Sequence, residues 1–437
     1  MLNETVIAGV VGLISLFVLL ALGVPIWASL AVVGFLGFGA ISGFEASLGV
    51  LGIIPFSTTA SFAFAVLPLF ILMGHFAVQG GIAEEMYEAV AAWLGRIRGS
   101  LAMATTTACA AFGVACGSSA ATAATFTKLS LPEMERYGYS HKLSCGSIAA
   151  GGTMAALIPP SGIMIVYCIF TGVSIGRMFI GGIIPGIITA ILYGGMIYLL
   201  VHLFPRLAPM PIKGASWKKK LYSAKGVGPI FLLMIVILGG IYAGIFTPIE
   251  AGGIGAFVTF LVALIRKRLG KRGIIEALRE TLQSCAMILL IFIGALVFGR
   301  FITVSRIPFE ISHFLGSLEI HPIFILIFIL LIYIILGMFL EGVAMLALTM
   351  PVLFPIVVGL GFKGVWFGIL TVKMIEVALI SPPFGLNVYV VQAAAPHVRL
   401  EEIFLGILPF LLVDLVVVAL IIAFPSIALW LPSMMIH

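Results

Sequence analysis

Charged side chains are scarce in this chain: only 9% of its 437 residues are Asp, Glu, Lys or Arg, whereas 62% are hydrophobic. Soluble domains carry roughly 25% charged residues, so the composition excludes a soluble globular protein. Apolar runs long enough to cross a lipid bilayer, about 20 residues, recur along the whole length. About ten such runs predict an all-α, polytopic integral membrane protein. The clearest are residues 6–22, 28–43, 62–79, 99–116, 178–203, 228–246, 251–265, 284–299, 322–340 and 403–424.

Motifs of soluble enzymes are also missing. The sequence has no Walker-type phosphate loop, which argues against intrinsic ATP hydrolysis, and no GxSxG or HExxH motif. Its five cysteines lie in apolar segments without CxxC or Cys/His spacing, so we expect them to be small core residues. The first apolar segment follows MLNET and not a basic region, so we expect no removable signal peptide.

The net charge of +6 is concentrated in two polar connections. The spans between these connections are joined by a tight turn near FTPIE, which places both connections on one face of the membrane. By the positive-inside rule that face is cytoplasmic. The basic residues therefore indicate topology, and we expect no nucleic-acid partner. They are Arg206, Lys213, Lys218, Lys219, Lys220 and Lys225 in the first connection and Arg266, Lys267, Arg268, Lys271 and Arg272 in the second.

Prolines recur at a fixed spacing of 223 residues. Proline makes up ~5% of typical sequences, so four matches at one spacing are not expected by chance. The pattern predicts two repeats, residues 1–203 and 226–437, joined by a cytoplasmic connection at 204–225. The N-terminus has an acid and no base, so we expect it to be periplasmic and the two repeats to be inverted. The matches are Pro25, Pro132, Pro159 and Pro160 with Pro248, Pro355, Pro382 and Pro383.

Each repeat has a double proline inside an apolar stretch, in AALIPPSGIMIVY (155–167) and VALISPPFGLNVYV (377–390). Proline lacks a backbone donor and clashes with the preceding turn, so both helices should open, at 157–162 and 380–385. Freed carbonyls are tolerated at membrane depth only where they face protein, water or an ion. Matched interruptions in inverted repeats are typical of secondary transporters with a site near the midplane. The alternative is a simple kink satisfied by neighbouring helices.

The backbone groups that such breaks leave without helical partners suit particular ligands. A small hard cation such as sodium is a natural partner for free carbonyls, and the positive ends of half-helices can hold an anionic group.

A second irregular feature precedes each break. The hydroxyl-rich segment CGSSAATAATFT (116–127) is expected to form the tip and return arm of a re-entrant hairpin near 99–127. Close helix packing through small residues is the alternative. We expect a second hairpin near 322–358, where Glu341 aligns with Ser118. A carboxylate in an apolar stretch is costly and is therefore a functional candidate.

Other polar residues have structural and functional interpretations. Glu250 is expected to cap a helix N-terminus. Asp414, the one aspartate in the chain, is expected to make a packing hydrogen bond, with a proton site as the alternative. His75 is expected to be a satisfied interior histidine. Glu376 is equally consistent with pairing to Lys373 and with lining a cavity.

Five sequence blocks in order resemble the large membrane subunit of the tripartite ATP-independent periplasmic (TRAP) transporters, the DctM-like family. The resemblance covers nearly the whole chain. It implies a sodium-coupled importer of organic acids in the bacterial or archaeal inner membrane, of the elevator type. It also implies a small four-span membrane subunit and a periplasmic substrate-binding protein as partners. The blocks are GSSAATAATFTKLSLPEMERYGY (117–139), AAGGTMAALIPPSGIMIVY (149–167), SIGRMFIGGIIPGI (174–187), GIFTPIEAGG (244–253) and ISPPFGLNVYV (380–390).

The resemblance also implies site residues. Sodium is the coupling ion, no covalently bound cofactor is implied, and no residue is catalytic. The implied substrate-binding candidates are Ser161, Asn387 and Glu341. The family often has aspartate at the position of Glu341, which has a longer reach but keeps the charge, and Gly162 stands where a larger residue is expected. The implied sodium-site residues are Gly117, Ser118, Ser119, Thr122, Pro159, Pro160, Gly342, Pro382 and Pro383.

Two other functions remain open at this point. A stand-alone sodium/dicarboxylate symporter of related architecture would need no binding protein. An intramembrane enzyme would use Glu341 and Glu376 as acid and base. The sequence does not name the organic acid, which could be a C4-dicarboxylate, a sialic-acid-like compound or another carboxylate.

Overall fold

The computed structural model describes residues 4–95, 97–209, 216–317, 320–337 and 339–435. All regular secondary structure within these ranges is helical. The start of the predicted periplasmic N-terminus and residues 210–215 of the basic connection, Lys213 among them, lie outside the described residues.

The helices fall into two series separated by the basic connection. The first series is α1 (Glu4–Ala21), α2 (Ile26–Ser42), α3 (Phe44–Thr59), α4 (Val66–Gln79), α5 (Ile82–Leu94), α6 (Ser100–Cys116), α7 (Ser119–Arg136), α8 (His141–Leu157), α9 (Gly162–Thr171) and α10 (Ile175–Leu203). The second series is α11 (Trp217–Tyr242), α12 (Pro248–Ile265), α13 (Lys271–Val304), α14 (Ile307–Ser317), α15 (Pro322–Gly337), α16 (Gly342–Gly359), α17 (Gly364–Ile380), α18 (Leu386–Ala394), α19 (Leu400–Ala423) and α20 (Ser426–Ser433).

Helix boundaries in the two series recur at the spacing of the prolines. The pair α8–α9 and the pair α17–α18 are each interrupted at a double proline, and α6–α7 and α15–α16 each precede such a pair. These positions are the ones at which the sequence predicts broken helices and hairpins. The inverted orientation of the two repeats stays a prediction.

Among the described residues, seven helices are by length and composition apolar and long enough to cross a membrane, or eight if the bent pair α8–α9 is one span. The sequence-based prediction of about ten full spans stays a prediction, because further apolar helices of 10–17 residues are present among the described residues. Three of the predicted runs form helices of 16 or 17 residues, namely α2, α6 and α15. Two of these, α6 and α15, end at the tips of the predicted hairpins, and a re-entrant arm need not reach the far side of the bilayer.

The hairpins and broken helices pack against one another. Helix α8 contacts both α6 and α7, and it also contacts α17 and α19 of the second series. The α8–α9 pair bends by 41° at its break. Helix α13, with 34 residues, lies mainly against α2 and α4 instead. The broken helices of the two series are thus in direct contact with each other.

Small residues allow the closest of these contacts. A Cβ atom at Gly406 of α19 would overlap the carbonyl oxygen of Lys142, and one at Gly146 of α8 would overlap that of Gly406. Helices in lipid associate through such close packing of small residues, because lipid tails provide no hydrophobic driving force between helices. The position of α8 beside α19 therefore depends on these two glycines.

We expect Gly406→Ala to lower the stability of the folded protein, because the added Cβ must separate α19 from Lys142. Overpacking of this kind costs about 1–3 kcal/mol. The measurement is thermal unfolding of the purified protein in detergent. Gly195→Ala in α10 is the control, since its Cβ would meet no atom within 4 Å. Equal unfolding midpoints for the two variants would contradict the close contact between α8 and α19.

Candidate functional site

The tip of the first hairpin lies against the first break. Helix α6 ends at Cys116, and Gly117 turns the chain with a left-handed φ of 61°. Ser118 caps α7, its Oγ accepting a hydrogen bond from the Ala121 amide at 3.4 Å. A Cβ atom at Gly117 would lie 3.3 Å from the carbonyl oxygen of Pro160. The turn and the break are therefore in contact through their backbones.

The first break separates α8 from α9 and is buried. Pro159 and Pro160 are joined by a cis peptide bond, as are Pro382 and Pro383 in the second break. Ser161 is fully buried, and its Oγ accepts a hydrogen bond from the Met164 amide at 3.5 Å. Ser161 is thus the N-cap residue of α9. This contact satisfies one backbone donor of the second half-helix.

The tip of the second hairpin contacts both breaks. Glu341 is the N-cap residue of α16, without a side-chain cap hydrogen bond. A Cβ atom at Gly342 would lie 2.8 Å from the Ile163 side chain, which follows the first break. The rings of Phe339 and Phe384 lie 5.5 Å apart and join this tip to the second break. The second tip therefore lies between the two broken helices.

The second break is more open than the first. Pro382 and Pro383 are exposed, whereas Asn387, in the first turn of α18, is fully buried. Asn387 Nδ2 donates a hydrogen bond to the Ala149 carbonyl of α8 at 3.3 Å. This side chain thus links the second half-helix of one series to the broken helix of the other.

Both tips and the half-helices beyond both breaks surround one cavity of about 310 Å³, which falls within the ~300–1,000 Å³ range of small-molecule sites. Ser161, Thr122, Pro159, Pro382 and Pro383 are not among its lining residues, although Thr122 is fully buried just behind the first tip. The predicted residues that do line it are Gly117, Ser118, Ser119, Pro160, Glu341, Gly342 and Asn387.

Four helix N-termini meet at this cavity. Its lining includes Ser119, Gly162 and Gly342, the first residues of α7, α9 and α16, and also Leu386, the first residue of α18. A helix N-terminus carries a partial charge of roughly +0.5 and free amide groups, which favour an anion. The arrangement makes the cavity suited to a carboxylate.

Several oxygen atoms at this cavity lack hydrogen-bond partners among the described residues. They are Ser119 Oγ, Asn387 Oδ1 and Glu341 Oε1. An unsatisfied buried polar atom is costly and calls for a ligand, an ion or water. Hydroxyl, amide and carboxylate oxygens are the donors that hard cations prefer. This set of residues therefore fits a small hard cation.

His75 is a cavity residue that the sequence analysis does not assign to the site. It was expected to be a satisfied interior histidine, and its Nδ1 does lie 2.9 Å from Glu280 Oε2. It also lines the cavity, next to Gly74. A Cβ atom at Gly74 would lie 2.7 Å from the Cys116 carbonyl oxygen. In the sequence, the only sign of this close approach of α4 to the first tip is the glycine that precedes His75 in an apolar helix.

The other polar residues have structural partners. Glu250 forms a capping box with Thr247 at the start of α12, which confirms its expected role. Glu376 Oε2 lies 3.0 Å from Lys373 Nζ, and Asp414 Oδ1 lies 2.8 Å from the same nitrogen. Glu376 does not line the cavity that contains Glu341. The two glutamates therefore do not form an acid–base pair there.

The family model of the "Tripartite ATP-independent periplasmic transporter, DctM component" matches residues 13–427. The chain belongs to this family. It is the large permease subunit of a TRAP transporter, a multi-pass membrane protein that transports and is not an enzyme.

Curated relatives span nearly the full length of this TRAP permease. The C4-dicarboxylate TRAP transporter large permease protein DctM of Pseudomonas aeruginosa is 33% identical over 388 residues, which are 89% of this chain and 90% of the relative. The ectoine TRAP transporter large permease protein TeaC of Halomonas elongata is 32% identical over 94% of this chain and 96% of its own.

A solved structure supports the transporter fold of the permease. The YdaH transporter of Alcanivorax borkumensis aligns with a TM-score of 0.63 at 15% identity, covering 87% of this chain and 89% of that one. At this identity the likeness concerns the fold alone.

We expect Gly117→Ala to impair uptake more than its effect on stability explains. A side chain in the left-handed region costs about 1–2 kcal/mol, and this Cβ would also press on Pro160 and Gly162. Gly172→Ala is the matched control, because Gly172 has φ 71° with no atom within 4 Å of its Cβ. Uptake by the two variants, normalised to folded protein in proteoliposomes, is the measurement. Equal uptake would show that the contact between tip and break is not needed for transport.

Proposed function

We propose that this permease imports an organic acid into the cell across the inner membrane, driven by a sodium gradient. The convergence of four helix N-termini on one cavity is the observation that supports an anionic substrate most directly. The substrate class includes C4-dicarboxylates, sialic-acid-like compounds and other carboxylates. Relatives named for a C4-dicarboxylate and for ectoine show that members of the family differ in substrate.

Sodium as the coupling ion is supported by the donor set at the cavity. Ser119, Asn387 and Glu341 each present an oxygen without a partner among the described residues. Sodium, when bound, supplies the positive charge that offsets these oxygens. The protein holds Ser119 at the first tip and Asn387 beside α8, so the oxygen donors come from both series of helices.

Two partners complete the proposed system. A periplasmic substrate-binding protein delivers the organic acid, and a separate small four-span membrane subunit pairs with the permease. Both are supported by the tripartite character of the family. The proposed orientation has a periplasmic N-terminus and a cytoplasmic connection at 204–225, with two inverted repeats. The hairpins and broken helices, which contact one another, would move together against the remaining helices in an elevator-type step.

Reconstitution tests this function. The permease and its small membrane subunit are placed in proteoliposomes, and uptake of candidate organic acids is measured with and without an inward sodium gradient and the binding protein. We expect uptake only when both are present. Sodium-driven uptake without the binding protein would replace the proposal with the stand-alone symporter. Uptake that is indifferent to sodium would contradict sodium coupling.

Two substitutions test the donor set within the same assay. We expect Ser119→Ala and Asn387→Ala each to raise the sodium concentration needed for half-maximal uptake by about ten- to a hundredfold, since a contact to a charged group is worth about 1.5–3 kcal/mol. Ser130→Ala is the control: it removes a buried hydroxyl of the same helix, α7, whose hydrogen bond goes to the Phe126 carbonyl. Unchanged sodium activation in both variants would remove these residues from the sodium site.

A further inference from the structure

A cluster of charged side chains lies away from the cavity, between α10, α17 and α19. Lys373 Nζ lies 2.8 Å from Asp414 Oδ1 and 3.0 Å from Glu376 Oε2. Tyr193 Oη donates a hydrogen bond to the same Asp414 oxygen at 2.8 Å. Lys373, Glu376, Asp414 and Tyr193 are all fully buried. None of them is among the cavity's lining residues.

The charges of this cluster do not balance. One ammonium faces two carboxylates, which leaves one negative charge in excess if both carboxylates are ionised. An uncompensated charge buried in a membrane protein costs several kcal/mol. Two oxygens, Glu376 Oε1 and Asp414 Oδ2, also lack a hydrogen-bond partner among the described residues. The cluster therefore requires one additional positive charge.

Within the part of the chain that the structure describes, no other charged group in contact with the cluster supplies this charge. Of the titratable side chains on the packed helices, Tyr193 of α10 contacts the cluster, and it is a neutral donor. Tyr333 of α15 is hydrogen-bonded to Thr349 instead, and Tyr167 of α9 donates to the Gly364 carbonyl. Helix α8 faces the cluster with the Thr153 hydroxyl and the Leu157 backbone, and neither titrates.

The remaining titratable groups of α8 and α9 are buried thiols or lie at helix ends. Cys145 and Cys168 are buried, uncharged thiols. The charged residues of the packed helices otherwise stand near helix ends: His141 and Lys142 of α8, Arg177 and His202 of α10, and Glu401 and Glu402 of α19. Helices α16, α18 and α20 have no Asp, Glu, Lys, Arg or His.

We propose that this cluster is a proton-binding site and that Glu376 carries the proton. Asp414 Oδ1 accepts two hydrogen bonds, one from the Lys373 ammonium and one from the Tyr193 hydroxyl, so it has the fuller set of donors. Glu376 Oε2 accepts a hydrogen bond from Lys373, whereas its Oε1 has no partner among the described residues. With a proton from water on Glu376, the cluster is neutral: one ammonium and one carboxylate. A proton needs no coordination shell, which suits a tightly packed site.

Glu376, the proposed proton carrier, lies close to both helix breaks. Glu376 lies four residues before α17 ends at the second break, and its carboxylate faces the backbone of Leu157, the last residue of α8 before the first break. The aligned position in the first repeat is Thr153, which carries no charge. The charged residues of the proton site therefore all belong to the second series of helices, and Glu376 contacts the broken helix of the first.

Infrared spectroscopy of the purified full-length protein tests the proposal. A protonated carboxylic acid has a carbonyl stretch that ionised carboxylates lack, and this band shifts when H₂O is replaced by D₂O. We expect one such band from a buried group at neutral pH, present in wild type and lost in Glu376→Gln. The exposed Glu401, which pairs with Arg399, supplies the control variant Glu401→Gln, which should keep the band. Loss of the band in Asp414→Asn but not in Glu376→Gln would overturn the assignment to Glu376.

Thermal unfolding in detergent gives a second measurement. Glu376→Gln should unfold near the wild-type midpoint, because the amide mimics a protonated acid, whereas Asp414→Asn should be clearly less stable. Equal losses in both variants would contradict the proposed charge distribution. Sodium is the other source of one positive charge: a band that is absent in sodium buffer, appears when choline replaces sodium and is lost in Glu376→Gln would show that the cluster binds sodium and overturn the proton assignment.

Discussion

The contact between hairpin tips and helix breaks is the constraint on which the rest of this structure depends. A double proline inside a membrane leaves backbone groups that lipid cannot satisfy, so each break must face protein, water or an ion. Gly117 brings the first tip against Pro160, and Gly342 brings the second tip against the helix that follows the first break. Because these contacts involve backbone and small residues, a cavity remains between them. The same geometry directs four helix N-termini to one place.

Much of this arrangement could be predicted from the sequence. Proline has a strong and local effect on a helix, so the ends of α8 at Leu157 and of α17 at Ile380 follow from the double prolines alone. The spacing of 223 residues also paired Ser118 with Glu341, and the structure places both as N-cap residues at hairpin tips. Local rules and repetition were sufficient for these features.

Side-chain directions and partners could not be predicted in the same way. Ser161 belongs to the first break, but its hydroxyl caps α9 instead of facing the cavity. Pro382 and Pro383 are exposed although their counterparts are buried, because the surroundings of the two repeats differ. The number of full spans does not follow from hydropathy alone, since hydropathy does not separate a re-entrant arm from a crossing helix. The pairing of Lys373 with Asp414 joins residues 41 positions apart, which no local pattern reveals.

The most direct test uses Cys116, which lies at the end of α6 and lines the cavity. The rate at which a maleimide alkylates Cys116 would be measured in proteoliposomes, in a variant with the half-buried Cys285 replaced by serine; the other three cysteines are buried. If the cavity is the transport site, sodium together with an organic acid that the system takes up should slow the alkylation. An unchanged rate in the presence of such a transported acid and sodium would contradict the account.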